Sequence, residues 1–459
     1  MSQIELIEIN KHPVFRKRKI KLKNFNHDKN IFTIIIGQNG CGKSELLRII
    51  ADSVNSHIIY NRNIGSSKVD TVGNITFKNG EIPHKVLASS FSLNDKFPIL
   101  TNRNKLYHED YEYLGLRSTS NNAFVGKYKK EFLKRLVNVL SEQRRLDSFT
   151  QVLTELDIPL QFKFSFKYGR GLKTILDSSD GTKSYHDFDS KVDNFISSKL
   201  QKSRLDYEKL YDRLKSSHFK NELYSFINNQ NKKFSSLEYR IDLSNPIYND
   251  KFMQDSTILI NLIESGIIQI NDFSFVAEND YSFSVASSGQ HHLFTEMLNI
   301  ASSIADNTLL LIDEPEISLH PNWQIRYIEL LELITSSFNK CHIIICTHSH
   351  FLLSSINEEI CSIMHAKRME DGGVEIFECN QNTFGWSPEQ VLYNIFGLTT
   401  TRNHYFERDL RLILSIISKE NLNAGEIYAP LERIKRFNIT DDDPLKLIIT
   451  RAEEFIKGM

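Results

Sequence analysis

The residues with the clearest chemistry are Gly37-Gln38-Asn39-Gly40-Cys41-Gly42-Lys43-Ser44, which fit G-x-x-x-x-G-K-S. A glycine-rich loop in that pattern turns its backbone N–H groups inward around phosphates. Lys43 then pairs with the β- and γ-phosphates, and the Ser44 hydroxyl ligates Mg²⁺. The candidate ATP contacts are Asn39, Gly40, Cys41, Gly42, Lys43, Ser44 and Glu45. A second group ends the apolar run Leu309-Leu310-Leu311-Ile312 with Asp313 and Glu314. Asp313 is placed to hold Mg²⁺ through water, and Glu314 to act as general base on the attacking water. His348, within Thr347-His348-Ser349, ends a further apolar run and is a candidate contact to the γ-phosphate and that water. A histidine satisfied within the fold is the plainer alternative, and His350 reads as incidental. Ser288, Gly289 and Gln290 open a segment with Leu293, Met297, Ala301 and Ile304 on one helical face. A Ser-Gly pair at a helix start gathers backbone donors and a hydroxyl into an anion site, although ordinary N-capping uses the same residues.

These groups need elements to position them. Ile31–Ile36, Thr308–Ile312 and Cys341–Cys346 are short buried runs, each followed by polar chemistry, and Ser44–Ala51 continues with helical spacing. Apolar strands with functional groups at their carboxyl ends indicate an α/β fold with a parallel sheet. Upstream, Ile4 and Leu6 alternate with Gln3 and Glu5 as strand-like sequence.

Between Lys43 and Ser288 lie 244 residues, more than a minimal nucleotide domain requires, so the middle holds an inserted unit. The expected division is 1–100 for the first half of the core and 101–260 for the insert. The second half then covers 261–380, and a helical region covers 381–459. Within the insert, Leu160, Phe162, Phe164, Phe166 and Tyr168 alternate with Gln161, Lys163, Ser165 and Lys167 as a half-buried strand. Residues 127–155 and 190–235 show helical periodicity instead, with Ile196, Leu200, Tyr207, Leu210, Tyr211 and Leu214 on one stripe. That stripe fits packed amphipathic helices or a protruding hairpin that binds a partner. In the tail, Ser387 can cap and Pro388 can start a helix.

Composition narrows the function classes. The 56 basic and 57 acidic residues give a formal charge of -1, which excludes a uniformly basic nucleic-acid coat but not a local patch. Such a patch is Arg16–Lys23, where Lys17, Lys19, Lys21 and Lys23 form one comb of a strand. Phosphate contact and protection of an exposed edge both remain open for it, and Lys127, Lys129, Lys130, Lys134 and Arg135 could extend it. Five cysteines without metal-ligand spacing read as reduced thiols of a cytoplasmic protein. Neither a signal peptide nor a membrane span is expected. The Asp441–Asp443 run before Pro444 reads as a solvated turn, not the acidic centre of a nuclease.

Together the four motifs resemble the ABC ATPase family in its non-transporter branch of SMC, DNA-repair and OLD-like proteins. The resemblance implies an ABC-type P-loop core in which Ser288, Gly289 and Gln290 reach the nucleotide of a second copy, so that two chains join head-to-tail as a dimer or larger assembly. It also places the Pro-Glu-Ile-Ser-Leu-His-Pro segment, 315–321, in the loop between subunits. Gly37–Leu47, Tyr113–Arg117, Thr347–Leu353 and Asn382–Phe406 are similar to the ATPase subunit of the Septu antiphage system and its retron-associated relatives. That similarity implies a separate nuclease subunit of HNH type, and DNA or a retron RNA–DNA element as a further partner. No nuclease domain is expected in this chain. One departure stands out: the family's glutamine after the second core strand is missing from Val86–Phe97. Ser90 or Asn94 is the candidate substitute, and slow hydrolysis is expected. The competing readings are an ATPase acting directly on DNA and a scaffold that binds ATP without turnover.

Overall fold

A run such as Ile31-Phe32-Thr33-Ile34-Ile35-Ile36 has no polar face to offer water, so it belongs in the middle of a sheet covered on both sides. A computed structural model of the chain places it there. The structure describes residues 3–61, 72–99, 110–115, 124–168, 185–200, 212, 214–229, 237–265, 267–276, 281–282, 287–353, 356–370, 372–379, 386, 390–392, 404–418, 424–436 and 445–457. The Asp441–Asp443 run and most of Asn382–Phe406 lie outside the described residues, as does the helical stripe from Tyr207 to Tyr211.

Two compact units are present, Met1–Gly385 and Trp386–Met459. Among the described residues the first contains three sheets. A three-stranded antiparallel sheet is formed by β1 (Ile4–His12), β2 (Arg16–Lys21) and β4 (Gly73–Phe77) in the order β2-β1-β4. The principal sheet is built from β3 (Ile31–Gly37), β5 (Lys85–Ser90), β6 (Tyr111–Tyr113), β11 (Thr308–Asp313), β12 (His342–Thr347), β13 (Cys361–Arg368) and β14 (Val374–Glu378). Its order is β14-β13-β3-β12-β11-β5-β6, parallel throughout except for β14. Residues of β3, β11 and β12 are buried along their whole length. The fold is α/β, with the helix Lys43–Asn61 as the next element after β3.

Parallel register aligns the strand ends. Asp313 lies opposite Cys346 on β12 and Ser90 on β5, while Thr347 lies opposite Ile36 on β3. Four adjacent strands, β3, β12, β11 and β5, therefore release their chains at one rim. Crossover connections put functional loops at that rim of a parallel sheet.

A third, antiparallel sheet of order β10-β9-β7-β8 comprises β7 (Gln161–Tyr168), β8 (Leu237–Asp242), β9 (Ile268–Phe275) and β10 (Tyr281–Ser282). Phe162, Phe164 and Phe166 point into the core while Gln161 and Lys167 are exposed, the alternation expected of a strand with one wet face. The inward rings build an aromatic cluster. Phe273 lies 4.7 Å from Phe132 and 4.8 Å from Phe164 between centroids, and Phe294 lies 5.6 Å from Phe275 and 5.7 Å from Phe149. Because Phe294 belongs to the helix Ser288–Ser303, the cluster fixes that helix to the antiparallel sheet. Helices Phe124–Leu140 and Gln143–Glu155 pack against it too.

The second unit is helical where described. His404–Ile417, Tyr428–Lys435 and Leu445–Lys457 enclose Phe406, Ile413, Ile416, Ile427, Leu431 and Ile434. A bidentate pair, Arg433 Nε and Nη2 to Asp409 at 2.7 and 2.9 Å, ties the first two helices together.

Candidate nucleotide site

The loop between β3 and the Lys43–Asn61 helix has Gly40 and Gly42 at φ of 77° and 79°. Side chains there would be strained, so glycine is what lets the loop close this tightly. The helix N-terminus that follows presents unsatisfied N–H groups, a natural anion seat. Lys43, 4% exposed, folds along the loop. Its Nζ donates to Gly37 O at 3.0 Å and lies 2.7 Å from Nε2 and 3.1 Å from Nδ1 of His348. His348 Nε2 is in turn 3.5 Å from Glu314 Oε1. Lys43, His348 and Glu314 thus form one contact chain across the ends of β3, β12 and β11.

The two acids of β11 differ in character. Burial raises the Asp313 carboxyl to about 7, with the charges of Glu314 and Asp95 adding to the rise and the Ser44 hydroxyl and Lys43 opposing it. Asp313 is 1% exposed, and its Oδ1 has no hydrogen-bond partner among the described residues. Glu314 shifts the other way, held below the ordinary glutamate range by its contact with His348. It takes φ of 51°, and its N–H donates to Cys346 O at 2.8 Å. A left-handed non-glycine residue costs about 1–3 kcal/mol and is typical of functional sites.

This donor set fits a hard cation. A buried carboxylate with an unsatisfied oxygen, bonded to a serine hydroxyl on the phosphate loop, suits Mg²⁺ shared with a nucleotide's phosphates. Among the described residues, no three His, Cys, Asp or Glu side chains converge to hold a metal alone. An ion here would therefore take the rest of its shell from water and phosphate.

Glu316 is the functional residue that motif reading missed. Its Oε1 accepts from the His348 N–H at 2.6 Å and its Oε2 from Thr347 Oγ1 at 2.8 Å. Ser349 Oγ donates to Gln324 Oε1 at 2.6 Å. The segment 315–321 thus holds the backbone that carries His348. Only an acid two residues beyond Glu314 hinted at this, and nothing in the spacing showed which backbone it would reach. His320 caps the helix Pro321–Thr335, its Nδ1 accepting from Asn322 N–H at 3.3 Å.

At the second motif the cap is Ser287, one residue before the Ser-Gly pair. Its hydroxyl accepts from Gln290 N–H at 3.2 Å, and Gln290 Oε1 accepts from Ser287 N–H at 3.0 Å, a reciprocal capping box. Gln290 is thereby turned back on its own helix. A Cβ at Gly289 would lie 2.8 Å from Ser318 O and 3.0 Å from the Trp323 ring, so glycine allows the close approach of these segments. Ser288 begins the helix.

Glu45 accepts from Arg48 Nη2 at 2.5 Å and lies 3.1 Å from His12 Nε2. Cys41 is buried beside Lys43. Asn39 and Gly40 lie on the loop's exposed side. In the lysine comb, Lys17, Lys19 and Lys21 are exposed on β2, an edge strand, and Lys19 pairs with Glu8 at 2.5 Å. Lys23 lies beyond the strand, 5.1 Å over the Phe25 ring. The Val86–Phe97 stretch leaves β5 at Ser90, whose Oγ accepts from Ser92 N–H, and Asn94 is exposed.

The model of the AAA ATPase domain family (AAA_15) matches residues 4–353. The chain belongs to that family. Among its relatives, the Vibrio cholerae serotype O1 biovar El Tor protein named "Retron Vc95 probable ATPase" is 22% identical over 415 residues, covering 82% of this chain and 76% of that one. The Septu protein PtuA of Bacillus thuringiensis is 30% identical over 118 residues, 25% of this chain and 28% of its own length. Among solved structures, the Smc head domain from Pyrococcus furiosus aligns over 83% of this chain and 96% of its own. The TM-score is 0.32 at 12% identity, too distant a likeness to carry the fold. The fold rests on the strand order and the AAA_15 match.

Proposed function

We propose that this ATPase-domain protein is the ATP-hydrolysing subunit of an antiphage defence complex. ATP joins two copies head-to-tail, and slow hydrolysis releases them. This cycle controls a separate nuclease subunit of HNH type in the cytoplasm, with DNA or a retron RNA–DNA element as a further partner. The observation behind the ATPase reading is the convergence of Lys43, Ser44, Asp313, Glu314 and His348 at one rim of the parallel sheet. The relatives named for a retron and for Septu support the defence context. Among the described residues no helix is long and apolar enough to cross a membrane.

The chemistry follows from those residues. Lys43 and the loop N–H groups hold the β- and γ-phosphates of ATP, and Ser44 and Asp313 would hold Mg²⁺. When bound, Mg²⁺ supplies neutralisation of phosphate charge. Glu314 accepts the proton of the attacking water, which adds to the γ-phosphorus as ADP leaves. His348 positions that water and is itself positioned by Glu316. Ser288 and Gly289 of one copy face the triphosphate held by the other.

Replacing Glu314 by Gln tests this directly. Turnover should fall about 10²–10⁴-fold, the usual worth of a general base, while ATP holds the variant as a dimer by light scattering. Unchanged turnover removes Glu314 as the base, and a variant that stays monomeric with saturating ATP removes the head-to-tail cycle. The exposed Lys17, Lys19 and Lys21 favour a second reading, direct DNA contact by this chain. It requires binding by the isolated protein that weakens steeply with salt.

A further inference from the structure

Two polar side chains lie deep in the packing of the helix Ser288–Ser303, and the nucleotide chemistry uses neither. His292 is 4% exposed and Glu296 1%. They stand one turn apart, Nε2 of the first 3.5 Å from Oε2 of the second, and neither atom has a hydrogen-bond partner among the described residues. Burying an acid and an imidazole costs stability that apolar side chains would not cost, which calls for a role beyond packing. What they hold is β5. Ser89 Oγ donates to Glu296 Oε1 at 3.1 Å, and the Phe91 ring stacks on His292 with centroids 3.6 Å and planes 17° apart. At the start of the strand, Lys85 Nζ donates to Ser303 O at 3.0 Å. Lys85, Ser89 and Phe91 thus meet Ser303, Glu296 and His292 in turn, so the helix runs antiparallel to β5 along the whole strand. Ser288 starts the helix one turn before His292, about 6 Å further on. That carries the Ser-Gly pair past the end of β5, at the rim where Ser90 stands opposite Asp313.

Resting on the head-to-tail reading above, we infer that Glu296 and His292 are positioning residues for hydrolysis in the second copy. They touch no nucleotide. Tied to Ser89 and Phe91, they fix how far their helix advances along β5, and so where Ser288 and Gly289 stand when the other chain presents its triphosphate. Gly289 lies close against Ser318 and Trp323, so the helix start is set from a second side as well. A defect at Glu296 therefore shows in the partner's site, while the phosphate loop of its own chain stays intact.

The test is complementation of ATP turnover between full-length variants. Glu296→Ala removes the acceptor of Ser89 and should lower kcat about tenfold to a hundredfold, the scale of a misplaced site. Glu296→Gln keeps that acceptor and should keep most of the turnover. Mixing Glu296→Ala with Lys43→Ala joins an intact phosphate loop on one chain to an intact Ser-Gly pair on the other. Turnover in the mixture should rise well above that of either variant alone. A control mixture of Ser288→Arg with Lys43→Ala should recover in the same way. Wild-type turnover in Glu296→Ala overturns the inference, as does a Glu296→Gln chain as impaired as Glu296→Ala. Failure of the Glu296→Ala mixture to recover where the control recovers also overturns it, because the damage then lies within the chain's own site. Should Glu296→Ala not fold, Ser89→Ala, which deletes the donor, decides by the same mixture. A control mixture that does not recover defeats the head-to-tail reading and this inference with it. The Glu296 outcomes defeat only the inference.

Discussion

Asp313→Asn should stabilise the chain in the absence of metal and nucleotide, and by an amount that depends on pH in a specified way. Burial lifts the Asp313 carboxyl from an ordinary 3.8 to about 7. At ~1.4 kcal/mol per pKa unit, that gap corresponds to about 4 kcal/mol. Between pH 4 and 7 the folded chain retains this proton and the unfolded chain does not, so stability falls as pH rises through that window and stays lowered above it. Asparagine can still accept from Ser44 and has no charge to desolvate. The variant should match the wild type near pH 4 and exceed it by up to about 4 kcal/mol at pH 8. His342 acts with the opposite sign. Burial depresses its pKa to about 3, and its ring bonds Ile4 N–H and Thr33 Oγ1 in the neutral form, so stability is lost as pH falls from 6.5 toward 3. The two slopes offset each other in the wild type, and the difference between the two chains is what isolates Asp313. Urea unfolding in EDTA at pH 5, 6.5 and 8, followed by intrinsic fluorescence, measures it. A difference that does not change with pH, or a variant no more stable at pH 8, would refute the reasoning. Adding Mg²⁺ and a nucleotide analogue should then favour the wild type, since ligand stabilises only the chain that binds it.

Other perturbations follow from the same geometry. Glu316→Ala leaves the His348 N–H and the Thr347 hydroxyl without their acceptor; it should cost about 1–3 kcal/mol and lower kcat more than it raises KM for ATP in a phosphate-release assay. Gly289→Ala sets a methyl against Ser318 O and the Trp323 ring, so about 1–3 kcal/mol of overpacking and a shifted Trp323 emission are expected. Phe273→Ala opens the centre of the aromatic cluster and should cost about 3–5 kcal/mol by chemical unfolding. Unaltered stability in that variant would show that the antiparallel sheet is not rooted there.

The nucleotide loop was legible because its chemistry is local: eight consecutive residues dictate a turn, a helix start and a charge. Thr308–Ile312 and Cys341–Cys346 read correctly as buried strands because they are apolar on both faces, and β7 because its phenylalanines alternate. What the sequence could not show was pairing across long separations. Glu316 reaches His348 only once β11 and β12 lie side by side, and Ser90 comes opposite Asp313 only through the β5–β11 ladder. Gln290 looked like a ligand-facing residue because the capping box that turns it back depends on Ser287 taking the cap position. The seat of the helix Ser288–Ser303 was likewise hidden, since Phe294 meets rings from Phe132 and Phe149, far back in the chain.

The two-sided character of β7 has a consequence for how such a protein can diversify. Phe162, Phe164 and Phe166 answer to the rings beneath them, whereas Lys163 and Ser165 lie on the other face, against Glu238 and Asn271 of the neighbouring strands. Lys163, Ser165 and Lys167 can therefore be rewritten to greet a different visitor without any ring underneath having to move.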